Sequence, residues 1–547
     1  HMWFGDLVTM KWWNDLWLNE SFAEWASTIA TAEATEWTEA WTTFQAMEKS
    51  WAYKQDQLPS THPIVADIRD LEDVQVNFDG ITYAKGGSVL KQLVAWVGED
   101  DFFAGVSNYF KKHAWGNTEL VDLLRELEAT SGRELTDWSA KWLETAGVNT
   151  LRPELEVDEN GVITAFSVLQ SAHPDYPTIR PHRMAIGFYG LGTGGALVRT
   201  HRHELDVDGE RTEVAELVGK TRPALILLND DDLAYAKIRL DDASLETAIA
   251  HLKDIENPLA RAIVWGAAWD ATRDGETAAR DYVRLVLNNI ASETESTTIR
   301  TTLLQLAQVA RTYVDPATRH DTVVEVADAL WSLAAEAEPG SDAQFQFVQY
   351  FANMAATPAH VATLKGLRDG TITLPELTVD TDLDWLLIEG LALNGAIGHS
   401  EIDAALSTDN TSNGQQAAAR ARAALPGSDA KRAVFDQLVG DDTVPNAIVR
   451  MTTMGWQHAN GPTGFAELVD AYFDAIVPIW ESRTYKIAEY LILGLYPAAL
   501  ANENLIVKTR AWLEANAEQP AALRRMVSEN LAGVERAVAA QRRDARA

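Results

Sequence analysis

The hydrophobic period changes twice along this chain. Over residues 1–148 apolar positions recur at helical spacing. Phe102, Phe103, Val106 and Phe110 follow Asp101, and Leu120, Leu123, Leu124 and Leu127 follow Asn117 and Thr118, so the pattern predicts two amphipathic helices starting near those polar residues. Trp3, Trp12, Trp13, Trp17 and Trp25 crowd the beginning and predict a buried or cleft-lining surface; Gly147 ends the helical pattern. From Leu151 to Leu240 the period moves toward two. Leu155 and Val157, the Asn160-Gly161 pair, and then Val162, Phe166 and Val168 form a hairpin signature, with strand-like runs at Met184 to Tyr189, Ala196 to Leu205 and Leu225 to Leu228. After Asp241 the helical period returns and persists, with Asn257-Pro258 at one helix start and breaks at Pro316, Pro339, Pro375 and Pro426. The expected fold is multidomain and mainly α: a helical domain over 1–148, a small antiparallel β-sandwich over 149–241, and a large α-helical solenoid or bowl over 242–547.

Length supports that division, because 547 residues exceed what one hydrophobic core usually holds. No apolar run approaches the roughly 18 to 20 residues of a membrane span, so a soluble chain is expected. The formal charge of -34 argues against nucleic acid or an anionic membrane as partner, since binding a polyanion relies on clustered Lys and Arg. A ligand bearing a free amino terminus suits that field. The chain has no cysteine, which excludes disulfides and thiolate metal sites and leaves His, Asp and Glu as metal donors. It also fits a cytoplasmic protein.

Candidate chemistry is concentrated near the start. The string His1-Met2-Trp3-Phe4-Gly5-Asp6-Leu7-Val8-Thr9 leads to Trp12-Trp13-Asn14-Asp15-Leu16-Trp17-Leu18-Asn19-Glu20, and Phe78-Asp79-Gly80-Ile81-Thr82-Tyr83-Ala84-Lys85-Gly86-Gly87 follows downstream. These strings resemble the aminopeptidase N family, zinc peptidases of the gluzincin type. In that family a helix carries H-E-x-x-H and a glutamate follows after eighteen residues, the spacing of His1 and Glu20 here. The resemblance implies that His1 and Glu20 are zinc ligands, one Zn2+ per complete site, and that Tyr83 in Y-x-K-G is the catalytic phenol that donates to the oxyanion. Glu24, one turn past Glu20, is a candidate to orient His1. His62 in Ser60-Thr61-His62-Pro63-Ile64 matches a recurrent family segment without assigned chemistry, and Trp142 to Gly147 matches the end of the family's catalytic domain.

The resemblance further implies a partly represented thermolysin-like catalytic domain and a metallo-aminopeptidase acting on peptides with a free amino terminus. The first zinc His, the general-base Glu and the amine-binding segment of the family are expected before His1, so a missing N-terminal region is needed to complete the site and the chain alone is expected to be inactive. A noncatalytic α-solenoid that binds peptides or proteins is the alternative reading; the joint presence of His1, Glu20 and Tyr83 argues against it.

Overall fold

The computed structural model describes residues 1–70, 73–74 and 77–547. The protein is mainly helical, with small sheets and a long C-terminal helical region. Its contacts divide into two compact units, residues 1–271 with 292–301 and residues 272–291 with 302–547.

In the first unit, strand β1 (Val8–Met10) leads into helix α1 (Leu16–Ala34), which buries Trp17, Leu18, Ser21, Phe22, Trp25 and Thr28 along one face. A helical segment over residues 40–55 follows, and then α2 (Gly86–Val97), α3 (Glu99–His113), strand β2 (Gly116–Thr118), α4 (Leu120–Ser131) and α5 (Thr136–Leu143). Of the five early tryptophans, Trp17 and Trp25 join the core, whereas Trp3, Trp12 and Trp13 stay exposed beside the buried Phe4 and Val8. Asn117 and Thr118 do not cap a helix. They pair with Thr9 and Met10 as β2, and Glu119 caps α4 in a reciprocal box with Asp122, because the parallel β1–β2 pairing claims the backbone upstream. Asp15, buried, accepts from Leu120 N (3.1 Å) and ties the start of α1 to the start of α4.

The period-two stretch forms two facing sheets. One has the order β7 (Arg211–Glu213), β4 (Ile163–Ser171), β3 (Thr150–Val157), β9 (Lys237–Ile238); the other has β6 (Leu197–Val207), β5 (His182–Leu191), β8 (Leu225–Asp230). The β3–β4 hairpin turns at residues 158–161, where Gly161 adopts φ +75. Phe166 and Val168 of one sheet share a core with Met184, Ile186, Phe188, Ile226 and Leu228 of the other, which is the packing of a β-sandwich.

Within the second unit, successive helix pairs stack in one direction. Asp342–Met354, Thr381–Leu393, Ser412–Ala424, Asn446–Gln457 and Tyr485–Gly494 each pack on the next and each pairs with the helix before it, the arrangement of an α-solenoid. The last helix, Ala521–Asp544, returns to the start of the unit. There the buried Asp544 accepts from the amides of Arg280 (2.9 Å) and Asp315 (2.8 Å). Among the described residues no helix is long and apolar enough to cross a membrane.

Candidate metal centre

Aromatic packing sets the first residues against α1. Phe4 is buried on Phe22, with ring centroids 4.2 Å apart, and on Tyr109 at 5.4 Å. The amides of Asp6, Leu7 and Val8 donate to the carbonyls of His1, Met2 and Trp3. Gly5 closes this turn at φ +123, a conformation that disfavours any side chain, and a Cβ there would lie 3.0 Å from the His1 carbonyl oxygen. The result is that His1 Nε2 lies 3.4 Å from Glu20 Oε2, with the His1 side chain half exposed and Glu20 mostly buried.

Tyr83 enters from a π-helical turn, Ile81–Lys85, that runs into α2. Ser21, next to Glu20, donates to the carbonyl of Thr82, next to Tyr83, at 2.6 Å. The glycine pair of the motif makes this approach possible: a Cβ on Gly86 would lie 1.9 Å from Ser21 Oγ, and one on Gly87 would lie 3.2 Å from Glu24 Cγ. The Tyr83 phenol is pushed up to about 12 by partial burial, then by the nearby charge of Glu20 and by Glu24. It is therefore a protonated donor at neutral pH. Lys85 anchors the end of the turn in a buried ion pair with Asp56 (2.9 Å) and donates to Gly147 O (3.2 Å); burial pushes its ammonium down to about 8.

The two sequence-identified donors fit zinc. At Zn–N and Zn–O distances of about 2.0–2.2 Å and a tetrahedral angle, a nitrogen and an oxygen ligand sit roughly 3.3–3.5 Å apart, and the His1–Glu20 separation is 3.4 Å. Zinc-type catalytic sites take three protein donors. Among the described residues no cluster of three or more His, Asp or Glu that could hold a metal is present. Glu24 lines a cavity of about 530 Å³ with Thr28, Trp37, Phe44, Glu48 and Glu295, and burial followed by the charge of Glu48 holds its carboxyl above the ordinary glutamate range.

Sequence reasoning missed the supports. Ser21 adjoins Glu20 and carries no signal without the packing, and Gly86, though part of the tyrosine motif, does not show in sequence that Ser21 approaches it. His62, left without chemistry, contacts Asp79 of the tyrosine motif, 17 positions further along the chain.

Comparison with known proteins adds the wider context. A model of the peptidase family M1 domain matches residues 1–142, and a model of the ERAP1-like C-terminal domain matches residues 225–536. The chain is 50% identical to aminopeptidase N of Streptomyces lividans over its whole length, spanning 65% of that protein. It is 42% identical to tricorn protease-interacting factor F2 of Thermoplasma volcanium across 29% of this chain and 20% of that one. Against leucyl aminopeptidase of Saccharolobus solfataricus it is 40% identical across 28% of this chain and 19% of that one.

Proposed function

From the premise that this chain belongs to the M1 aminopeptidase N family, we propose that it is the part of a zinc-dependent aminopeptidase that carries the second His ligand, the Glu ligand and the catalytic tyrosine. The observation that carries this reading is the convergence of His1 Nε2 and Glu20 Oε2 at 3.4 Å, with the Tyr83 phenol close enough to feel the Glu20 charge. Residues 1–148, 149–241 and 242–547 are its catalytic part, β-sandwich and helical domain, and a cytoplasmic location suits its cysteine-free composition.

His1 and Glu20 would hold zinc, which when bound lowers the pKa of its water to about 7 and polarises a carbonyl. The substrates are peptides with a free amino terminus. Tyr83 donates its phenolic proton in a hydrogen bond to the carbonyl oxygen as negative charge develops there, and its raised pKa keeps that proton in place. Glu20 and Glu24 add negative charge on the same side, which favours a cationic amine.

A remaining His and the general-base Glu lie outside this chain in this reading, so the 547 residues alone lack turnover even with zinc added. A base contributes roughly 100 to 10,000-fold. The test compares the chain alone with the same chain carrying the family's upstream region, each assayed on aminoacyl p-nitroanilides with matched zinc and a chelator control. Chelator-sensitive turnover is expected only from the extended protein. Strong turnover by the chain alone would show that the machinery lies elsewhere.

A further inference from the structure

The turn that carries Tyr83 is held at its start by side chains. The first amides of any helical turn have no partner within it, and here Asp79 Oδ1 accepts from Ile81 N (2.8 Å) and Thr82 N (3.4 Å). The amide of Tyr83 itself donates to the Asp79 carbonyl at 3.2 Å. Asp79 thus meets the two amides before the tyrosine and the tyrosine's own amide. Its other oxygen, Oδ2, lies 3.0 Å from His62 Nε2, while His62 Nδ1 lies 2.7 Å from the Pro63 carbonyl oxygen. Both ring nitrogens of His62 are thus engaged, one by a backbone carbonyl and one by the Asp79 carboxylate, and the two side chains are only 16% and 13% exposed.

We propose that His62 and Asp79 are positioning residues for the Tyr83 phenol. His62 fixes the Asp79 carboxylate, Asp79 fixes the two amides before Tyr83, and the turn then delivers the phenol to the Glu20 carboxylate. Neither side chain reaches the reacting carbonyl; both act through the tyrosine. The inference rests on the reading of Tyr83 as the oxyanion donor. The physical reason for such support is that a group acting on a transition state must be held to within a fraction of an ångström, and a misplacement of about 1 Å costs on the order of 100-fold.

The test is a mutant cycle in the extended enzyme that contains this chain, using Asp79→Ala, Asp79→Asn, Tyr83→Phe and the double variant Asp79→Ala/Tyr83→Phe. Asp79→Ala is expected to lower kcat about 10- to 100-fold with KM within about 2-fold, since a group used in the transition state is misplaced. Asp79→Asn keeps an acceptor for the Ile81 amide and recovers most of that loss. The double variant is expected to be no slower than Tyr83→Phe alone, because both changes remove one contribution. With 3-fluorotyrosine at position 83, Asp79→Ala and His62→Ala are each expected to shift or broaden its fluorine resonance. If the double variant loses the product of the two single losses, or if folded Asp79→Ala keeps normal kcat, the positioning role is overturned. Should Asp79→Ala not fold, His62→Ala enters the same cycle with the same criteria. Normal kcat in Tyr83→Phe would instead remove the oxyanion reading, and an unmoved fluorine resonance would then overturn the positioning role independently.

Discussion

Gly86→Ala tests whether the close approach of α1 and α2 builds the centre. The new Cβ would lie 1.9 Å from Ser21 Oγ and 2.8 Å from Ser21 Cβ. Turning Ser21 to another rotamer relieves the first clash but breaks its 2.6 Å bond to the Thr82 carbonyl, which costs about 1–3 kcal/mol when a buried acceptor is left unpaired. The carbon–carbon contact remains. Its comfortable distance is about 3.5–4.0 Å, so the helices must part by roughly 0.7–1.2 Å, an overpacking that costs about 1–3 kcal/mol. Alanine returns about 1 kcal/mol through helix propensity. The net expectation is a loss of about 1–5 kcal/mol in urea unfolding. In the extended enzyme, displacement of Tyr83 from Glu20 should slow p-nitroanilide turnover on the order of 100-fold. Adding Ser21→Gly removes both clashing atoms and leaves the Ile81 carbonyl oxygen, at 3.6 Å, as the next neighbour. That double variant should regain much of the stability. A Gly86→Ala protein with an unchanged midpoint and normal turnover would refute the argument.

Three further outcomes are expected. Tyr83→Phe in the extended enzyme lowers kcat about 100- to 1,000-fold, the usual weight of one oxyanion donor, while zinc content measured by metal analysis stays constant. Lys431 is buried and donates to the carbonyl oxygens of Ala423 (2.8 Å) and Trp456 (3.0 Å), and burial pushes its ammonium down to about 7 from 10.5. The unfolded chain then binds more protons between those two values, so the cost of the buried charge is fully present below about 7 and is relieved as pH rises toward 10.5. Unfolding midpoints at pH 6, 8 and 10 should accordingly rise less steeply in Lys431→Met than in the parent, and parallel curves would contradict this. Asp544→Ala strips the partners from the Arg280 and Asp315 amides and is expected to cost about 2–4 kcal/mol, seen as a lower urea midpoint.

The order of structural classes along the chain was legible because it depends on short-range periodicity. The β3–β4 hairpin forms at the Asn160-Gly161 pair, and Asn257 caps the helix Pro258–Arg273 through Leu259 N (2.9 Å). Each of these features is decided by backbone geometry within a few residues. The breaks at Pro316, Pro339, Pro375 and Pro426 fall between helices for the same reason, while Pro478 lies inside Val469–Ser482, where packing overrides the local rule. His1, Glu20 and Tyr83 were legible as residue types at motif spacing, but spacing alone has no way to state a distance.

What tertiary structure decided is which of those residues meet and what holds them. The Ser21–Thr82 bond spans 61 positions, and the buried Lys49–Asp232 pair spans 183. His62 reaches Asp79 only because the segments on either side pack together, and Asp544 caps two amides more than 200 positions upstream. Such contacts leave no periodic trace. Their energy comes from removing charged and polar groups from water into complementary positions, and that complementarity exists only once the helices have packed. A sequence thus states which side chains are available; the packing of Phe4 and the Gly5 turn against α1 sets the 3.4 Å between His1 and Glu20, and the close packing of α1 against α2 brings the Tyr83 turn beside them.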